Sequence, residues 1–127
     1  MATFLEDLKQ YLTDNNLTNI YRDFLPDKPD DAIGLFLWSH VTPEINDGSG
    51  VRYIQVQARA IDGDDAYRTA HAAAALLDSG SDEQRIDLTA DRWCIARPRS
   101  MPRKLKTDES GRVVYYFDVA LWSANTP

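Results

Sequence analysis

The sequence has little cysteine, little histidine and no long apolar run. Cys94 is the only cysteine in 127 residues, so no intrachain disulfide can form, in keeping with a reducing compartment. The two histidines, His40 and His71, stand far apart, and no Cys or His pair has metal-ligand spacing. No apolar stretch approaches the roughly 20 residues needed to span a bilayer. The opening "MATFLEDLKQYL" carries acids where a secretory signal carries bases, and it lacks a continuous apolar core. The expectation is assembly in a cytoplasm. Positive charge is also scarce: 14 Lys and Arg face 20 Asp and Glu, a formal net charge of −6. A general nucleic-acid binder shows the opposite balance.

What is present fits one domain over residues 1–127, long enough to bury roughly two-thirds of its unfolded surface. "TFLEDLKQYLTDNN" places Thr3 and Glu6 in capping-box spacing, and Leu5, Leu8 and Leu12 follow at helical intervals. Asn15 and Asn16 serve as stops. Pro26–Asp31 reads as a turn. Ala32 to Trp38, continuously apolar, suits a buried central strand. "TPEINDGSG" reads as loop, and His40, just before it, reads as a loop residue. "VRYIQVQARAI" alternates: Ile54, Val56, Ala58 and Ala60 face one way, Tyr53, Gln55, Gln57 and Arg59 the other. "DGDDAYRTAHAAAALLDSG" is the clearest helix, capped by Asp62 or Asp64, with Ala66, Ala70, Ala73 and Leu77 in one stripe and Gly80 as its stop. Asp108-Glu109-Ser110-Gly111 is a tight turn joining an arm, Trp93 to Leu105, to a last strand, Val113 to Trp122. The order α-β-β-α-β-β implies an α+β fold: two helices on one face of a mainly antiparallel sheet, with a long C-terminal β-hairpin that extends beyond the body.

The residues that could carry chemistry have blander explanations. Cys94 lies between Trp93 and Ile95 in a strand and reads as a small buried residue. "GSG" at Gly48–Gly50 precedes a strand, so it lacks the context of a phosphate cradle. The acids of "PDKPDD" serve a turn, and their spacing matches no calcium loop. No catalytic, metal or cofactor-binding residue is expected. A deep pocket lined by His40 or His71 with several carboxylates would reopen the case for an enzyme.

Several segments, in order, resemble a known family. They are the N-terminal helix, "LPDKPDDAIGLFLW", "YIQVQARAIDGDDAYRTAHAAAALL" and "KTDESGRVVYYFDVALW". Together they resemble the minor capsid or tail-terminator-like proteins of long-tailed bacteriophages, small head-tail joining proteins also found in prophages. One departure is "RKLK" before the last turn, where the family often has Gly or a short apolar residue. The resemblance implies a structural role: a ring, usually six-fold, that caps the tail tube in the virion neck, meets the head connector and lets DNA pass. It implies no catalysis, metal or cofactor. The rival reading is a small cytoplasmic α+β adaptor unrelated to phage.

The charge distribution bears on both. Residues 1–50 carry three Lys and Arg against nine acids, whereas residues 91–127 carry seven against four, a net of −6 against +3. "ARPRSMPRKLK" gathers Arg97, Arg99, Arg103, Lys104 and Lys106. In an extended chain Arg97, Arg99 and Arg103 share one face with Met101 and Leu105, while Pro98 and Pro102 mark a sheet edge. Three readings stand: a solvated arm that prevents edge aggregation, a head-to-tail subunit contact, and transient contact with DNA. The arm fits protein partners better than DNA, since no aromatic residue interleaves the bases. The subunit reading pairs the five basic residues with Asp23, Asp27, Asp30 and Asp31 of the next copy.

Overall fold

A computed structural model describes residues 3–41 and 49–124. Helix α1 (Phe4–Asp14) starts where Thr3 Oγ1 accepts the Glu6 amide at 3.3 Å, and Asn15 caps its end. Strands β1 (Ile20–Arg22), β2 (Ala32–Val41) and β3 (Ser49–Ala60) follow, then helix α2 (Gly63–Leu76). Asp62 caps α2 by accepting the Asp64 amide at 2.8 Å. The chain ends in β4 (Ile86–Asp87), β5 (Trp93–Pro98), β6 (Arg103–Thr107) and β7 (Val113–Ala124).

The seven strands form one sheet in the order β1-β2-β3-β7-β5-β4, with β6 also on β7. It is an α+β architecture, but the sheet is mixed: β1 runs parallel to β2, and the other pairs are antiparallel. The element order is α-β-β-β-α-β-β-β-β, not the expected α-β-β-α-β-β. The short strands β1 and β4 are too brief to leave an alternation, and the arm Trp93 to Leu105 is two strands. β5 pairs with Val119–Trp122 and β6 with Val113–Tyr116 of the same β7. Pro102, unable to donate, sits in the break between them. The C-terminal hairpin does not extend beyond the body, because β7 pairs with β3 along its whole length.

Both helices cover one face. Phe4, Leu8 and Leu12 of α1 and Ala73 and Leu77 at α2 meet Ile33, Leu35, Ile54, Val56, Phe117, Val119 and Leu121 in one buried cluster. Each fully buried Leu stabilises the fold by roughly 1.5–3 kcal/mol. The alanine stripe of α2 is buried as expected, and α2 packs closely over β3 and β7. α2 stops at Leu76 with Leu77 as its cap, not at Gly80, which takes φ +77° in the next turn.

Two strand expectations change. β2 is buried from Ala32 to Leu35, but Leu37 and Trp38 are exposed, because the helical layer covers only its first half. The backbone of His40 lies in β2 opposite Arg52, not in a loop, and Ser49 and Gly50 open β3 instead of forming a connector. The rest of the expected loop, residues 42–48, falls outside the described residues.

Candidate functional site

Among the described residues no helix covers the second face of the sheet. Alternation along each strand sends the residues between the core positions to this side. Opposite buried Leu121 stands Trp122; opposite buried Cys94 and Ala96 stand Trp93, Ile95 and Arg97. Trp38 joins them through its ring, 5.5 Å from that of Tyr53. All three tryptophans are thus on one face and substantially exposed, Trp38 at 54%, Trp122 at 44% and Trp93 at 39%. Exposed aromatic patches are the kind of surface that protein partners cover.

Register orders the face into rows. Val51, Trp122 and Ile95 form one; Tyr53, Ala120 and Arg97 the next; then Gln55 beside Asp118, and Gln57, Tyr116 and Arg103. The bases lie over the rings: the Arg99 guanidinium is 5.0 Å from the centre of Tyr53, and that of Arg103 is 5.6 Å from Tyr116. Such stacking fixes a cation over a ring at a surface. Two hollows open here. One of about 310 Å³ is lined by Phe36, Trp38, Gln55, Gln57 and Asp118. The other, about 360 Å³, is lined by Tyr53, Arg97, Pro98, Arg99, Ala120 and Trp122.

The structure places the predicted basic residues as follows. Arg97, Arg99 and Arg103 reach this face. Arg97 also stands 3.8 Å from Glu83. Lys104, Lys106 and Leu105 are exposed on β6, whose register shifts between Lys104 and Lys106. Met101 is exposed in the break. The arm carries no ring of its own; the rings under its arginines come from neighbouring strands. Trp38, Tyr53, Tyr116 and Trp122 were therefore missed, although the position of Trp122 beside a core leucine was a readable signal.

Of the predicted acids, Asp27 and Asp30 gather near Arg59 on β3 and Arg112 just before β7. The Pro26–Asp31 turn folds over the open face and buries Arg59, a residue that strand alternation alone assigns to the solvent side. Arg59 donates to the carbonyls of Pro26, Pro29 (2.8 Å) and Asp30 (3.0 Å). Burial, and next the charge of Arg112, pull its guanidinium below its ordinary value. Arg112, itself buried, donates to the Asp27 carbonyl and pairs with Asp27 (3.4 Å), Asp30 (3.4 Å) and Asp108 (2.8 Å). Desolvation pushes the Asp108 carboxyl up, but hydrogen bonds from the Arg112 amide and guanidinium outweigh it and hold it below the usual carboxylate range. Asp27 and Asp30 thus already hold a cation of their own chain. Asp23 and Asp31, both exposed, form no ion pair with a described residue.

The remaining chemistry is structural. Beneath α1, Arg52 donates to Ser123 Oγ at 2.7 Å and lies 4.3 Å over the Phe4 ring, and Arg92 pairs with Asp7 at 2.8 Å. Burial, and secondly the charge of Arg92, lower Arg52 from its ordinary value. Burial pushes the Cys94 thiol up to about 12, as fits an inert core residue. A hollow of about 400 Å³ between α2 and the β5–β6 break is lined by His71, Ser100 and Asp78 among others. Its one carboxylate, Asp78, accepts the Gly80 amide at 2.9 Å and so serves the turn. Among the described residues no group of three His, Cys, Asp or Glu could hold a metal ion, and no helix is long and apolar enough to cross a membrane.

A search of curated proteins finds no match. A family model described as bacteriophage tail terminator protein matches residues 11–121, from the last turn of α1 through α2 and nearly all of the sheet to Leu121. With most of its length matched, the chain belongs to the bacteriophage tail terminator protein family.

Proposed function

We propose that the protein acts in the virion as a ring of copies, six in number, that closes the end of the tail tube and presents a surface to the head connector, with DNA only passing through. In this reading it is assembled in the host cytoplasm and performs no catalytic step. Membership of the tail terminator family supports the location on the tail. The observation that carries the ring is that one body presents two different, complementary surfaces. The basic, aromatic face lies around β7 and β5, and the acidic turn follows the edge strand β1. Two different, complementary surfaces of one body can meet head to tail between copies, and such contacts close into rings.

Arg97, Arg99, Arg103, Lys104 and Lys106 form the basic side of that contact. On the acidic side, Asp23 and Asp31 lead, while Asp27 and Asp30 contribute through the field left after Arg112 has neutralised part of their charge. The test is the double reversal Arg99→Glu with Arg103→Glu, read by light scattering on a sizing column and negative-stain microscopy. Both side chains are exposed, so the expected result is a folded chain that no longer forms rings. Normal rings from this variant refute the assignment. A two-fold dimer of the unaltered protein at every concentration favours the adaptor reading instead.

A further inference from the structure

We infer that Phe24 of one copy seats in the hollow between Tyr53 and Trp122 of the next, with Asp23 against Arg97 and Arg99. This inference rests on the head-to-tail reading above and names the contact at its centre.

Phe24 is 54% exposed, unusual for a phenylalanine, and follows directly on Asp23. The pair is held rigidly. The Asp23 amide donates to the Leu35 carbonyl at 2.8 Å, Asp23 takes φ +68°, and the Phe24 ring packs edge-on to Tyr21 with centres 5.7 Å apart. A rigid aromatic ring buries area at low entropic cost, which is what makes aromatic side chains interface anchors.

The socket has the matching chemistry. Its hollow of about 360 Å³ is walled by the Tyr53 and Trp122 rings and floored by Ala120, and Arg97 and Arg99 line it. An aromatic ring beside a carboxylate satisfies both parts: the ring meets Trp122 and Tyr53, and the carboxylate meets the two guanidinium groups. Asp23 forms no ion pair with a described residue, so its charge is available for a partner. A second face-on copy of the same hollow is disfavoured, because it sets arginine against arginine.

A chain cannot fill its own socket. Phe24 follows the edge strand β1, whereas the socket centres on β7, three strands away, or roughly 14 Å across the sheet at about 4.8 Å per strand. The occupant is therefore a second copy, and each copy keeps one knob and one socket free for its two neighbours.

Two variants of the full chain separate the halves: Phe24→Ala removes the knob and keeps the socket, and Trp122→Ala does the reverse. Both sites are exposed, and thermal melting by circular dichroism checks that each folds; Phe24→Tyr keeps the ring and should still assemble. In sedimentation velocity each Ala variant should self-associate more weakly by about tenfold or more. An equimolar mixture should form heterodimers and nothing larger, since one intact knob meets one intact socket. Wild-type rings that persist in Phe24→Ala overturn the socket and leave the ring reading standing, as does a mixture that fails to pair. A wild-type chain still monomeric at about 1 mM overturns the head-to-tail reading itself.

Discussion

Replacing Arg59 by Met tests how the acidic end of the molecule is built. The methionine keeps an unbranched apolar stem beside Val114, the cross-strand neighbour on β7, and removes the donors to the Pro26, Pro29 and Asp30 carbonyls. Hydrogen bonds from a charged donor contribute about 1.5–3 kcal/mol each, so the gross loss is several kcal/mol. Two effects reduce it. Burying the guanidinium is itself costly, as its lowered pKa shows, and water can reach part of the freed turn. The expected net loss is about 2–3 kcal/mol, or about 6–15 °C in melting temperature for a chain of this size. Urea unfolding followed by circular dichroism measures it, and amide exchange at Asp31 and Ala32 shows whether the turn has loosened. A loss below about 0.5 kcal/mol, within the ordinary range of surface substitutions, refutes the idea that Arg59 holds the turn.

Two further outcomes follow from the same interior. Asp108 is depressed in the folded state, so its stabilisation is present above the unfolded value of about 3.9 and is lost as pH falls through the lower folded one. Asp108→Asn should therefore melt earlier than the unaltered chain at neutral pH and converge with it in strong acid; a gap that widens on acidification contradicts this. Cys94, buried with its thiol pushed up to about 12, should react with a thiol reagent at about pH 8 only as fast as the chain unfolds. Rapid labelling of the folded protein would show that the strand β5 side of the core is open.

The parts of this fold legible in the sequence are those decided by local rules. Thr3 and Asp62 cap helices because their oxygens meet free amides one turn on, and the alanine stripe of α2 faces the sheet because helical spacing puts it on one side. The turn at Asp108–Gly111 is equally local: the Gly111 amide reaches the Asp108 carbonyl, and Gly111 takes φ +82°. The rest depends on partners distant in the chain. Strand β1 is three residues whose only strand signal is its pairing with Ile33–Leu35. Arg59 looks solvent-facing by alternation, and only a turn some thirty residues earlier makes it buried. The aromatic face was hidden for the same reason, since Trp38, Tyr53 and Trp122 come together from three strands.

Charge counted along the sequence also differs from charge presented at the surface, and the difference sharpens the proposed contact. Arg112 belongs to the basic final third of the chain, yet it is buried against Asp27, Asp30 and Asp108 beneath the acidic turn. Arg92 likewise pairs with Asp7 in the first helix. These pairs stitch the two halves together inside one subunit and shrink the apparent asymmetry of −6 against +3. What survives at the surface is narrower: arginines stacked on tyrosines at one end, and Asp23 beside an exposed phenylalanine at the other. Isolated exposed ion pairs are worth little, with a median of about 0–1 kcal/mol, so charge alone cannot close a ring. The aromatic partners on both sides supply what the charges lack, while the charges set which end meets which. On this argument the truncation Phe24→Ala should weaken assembly at any salt concentration, whereas the reversal of Arg99 should matter most at low salt, where screening is weakest.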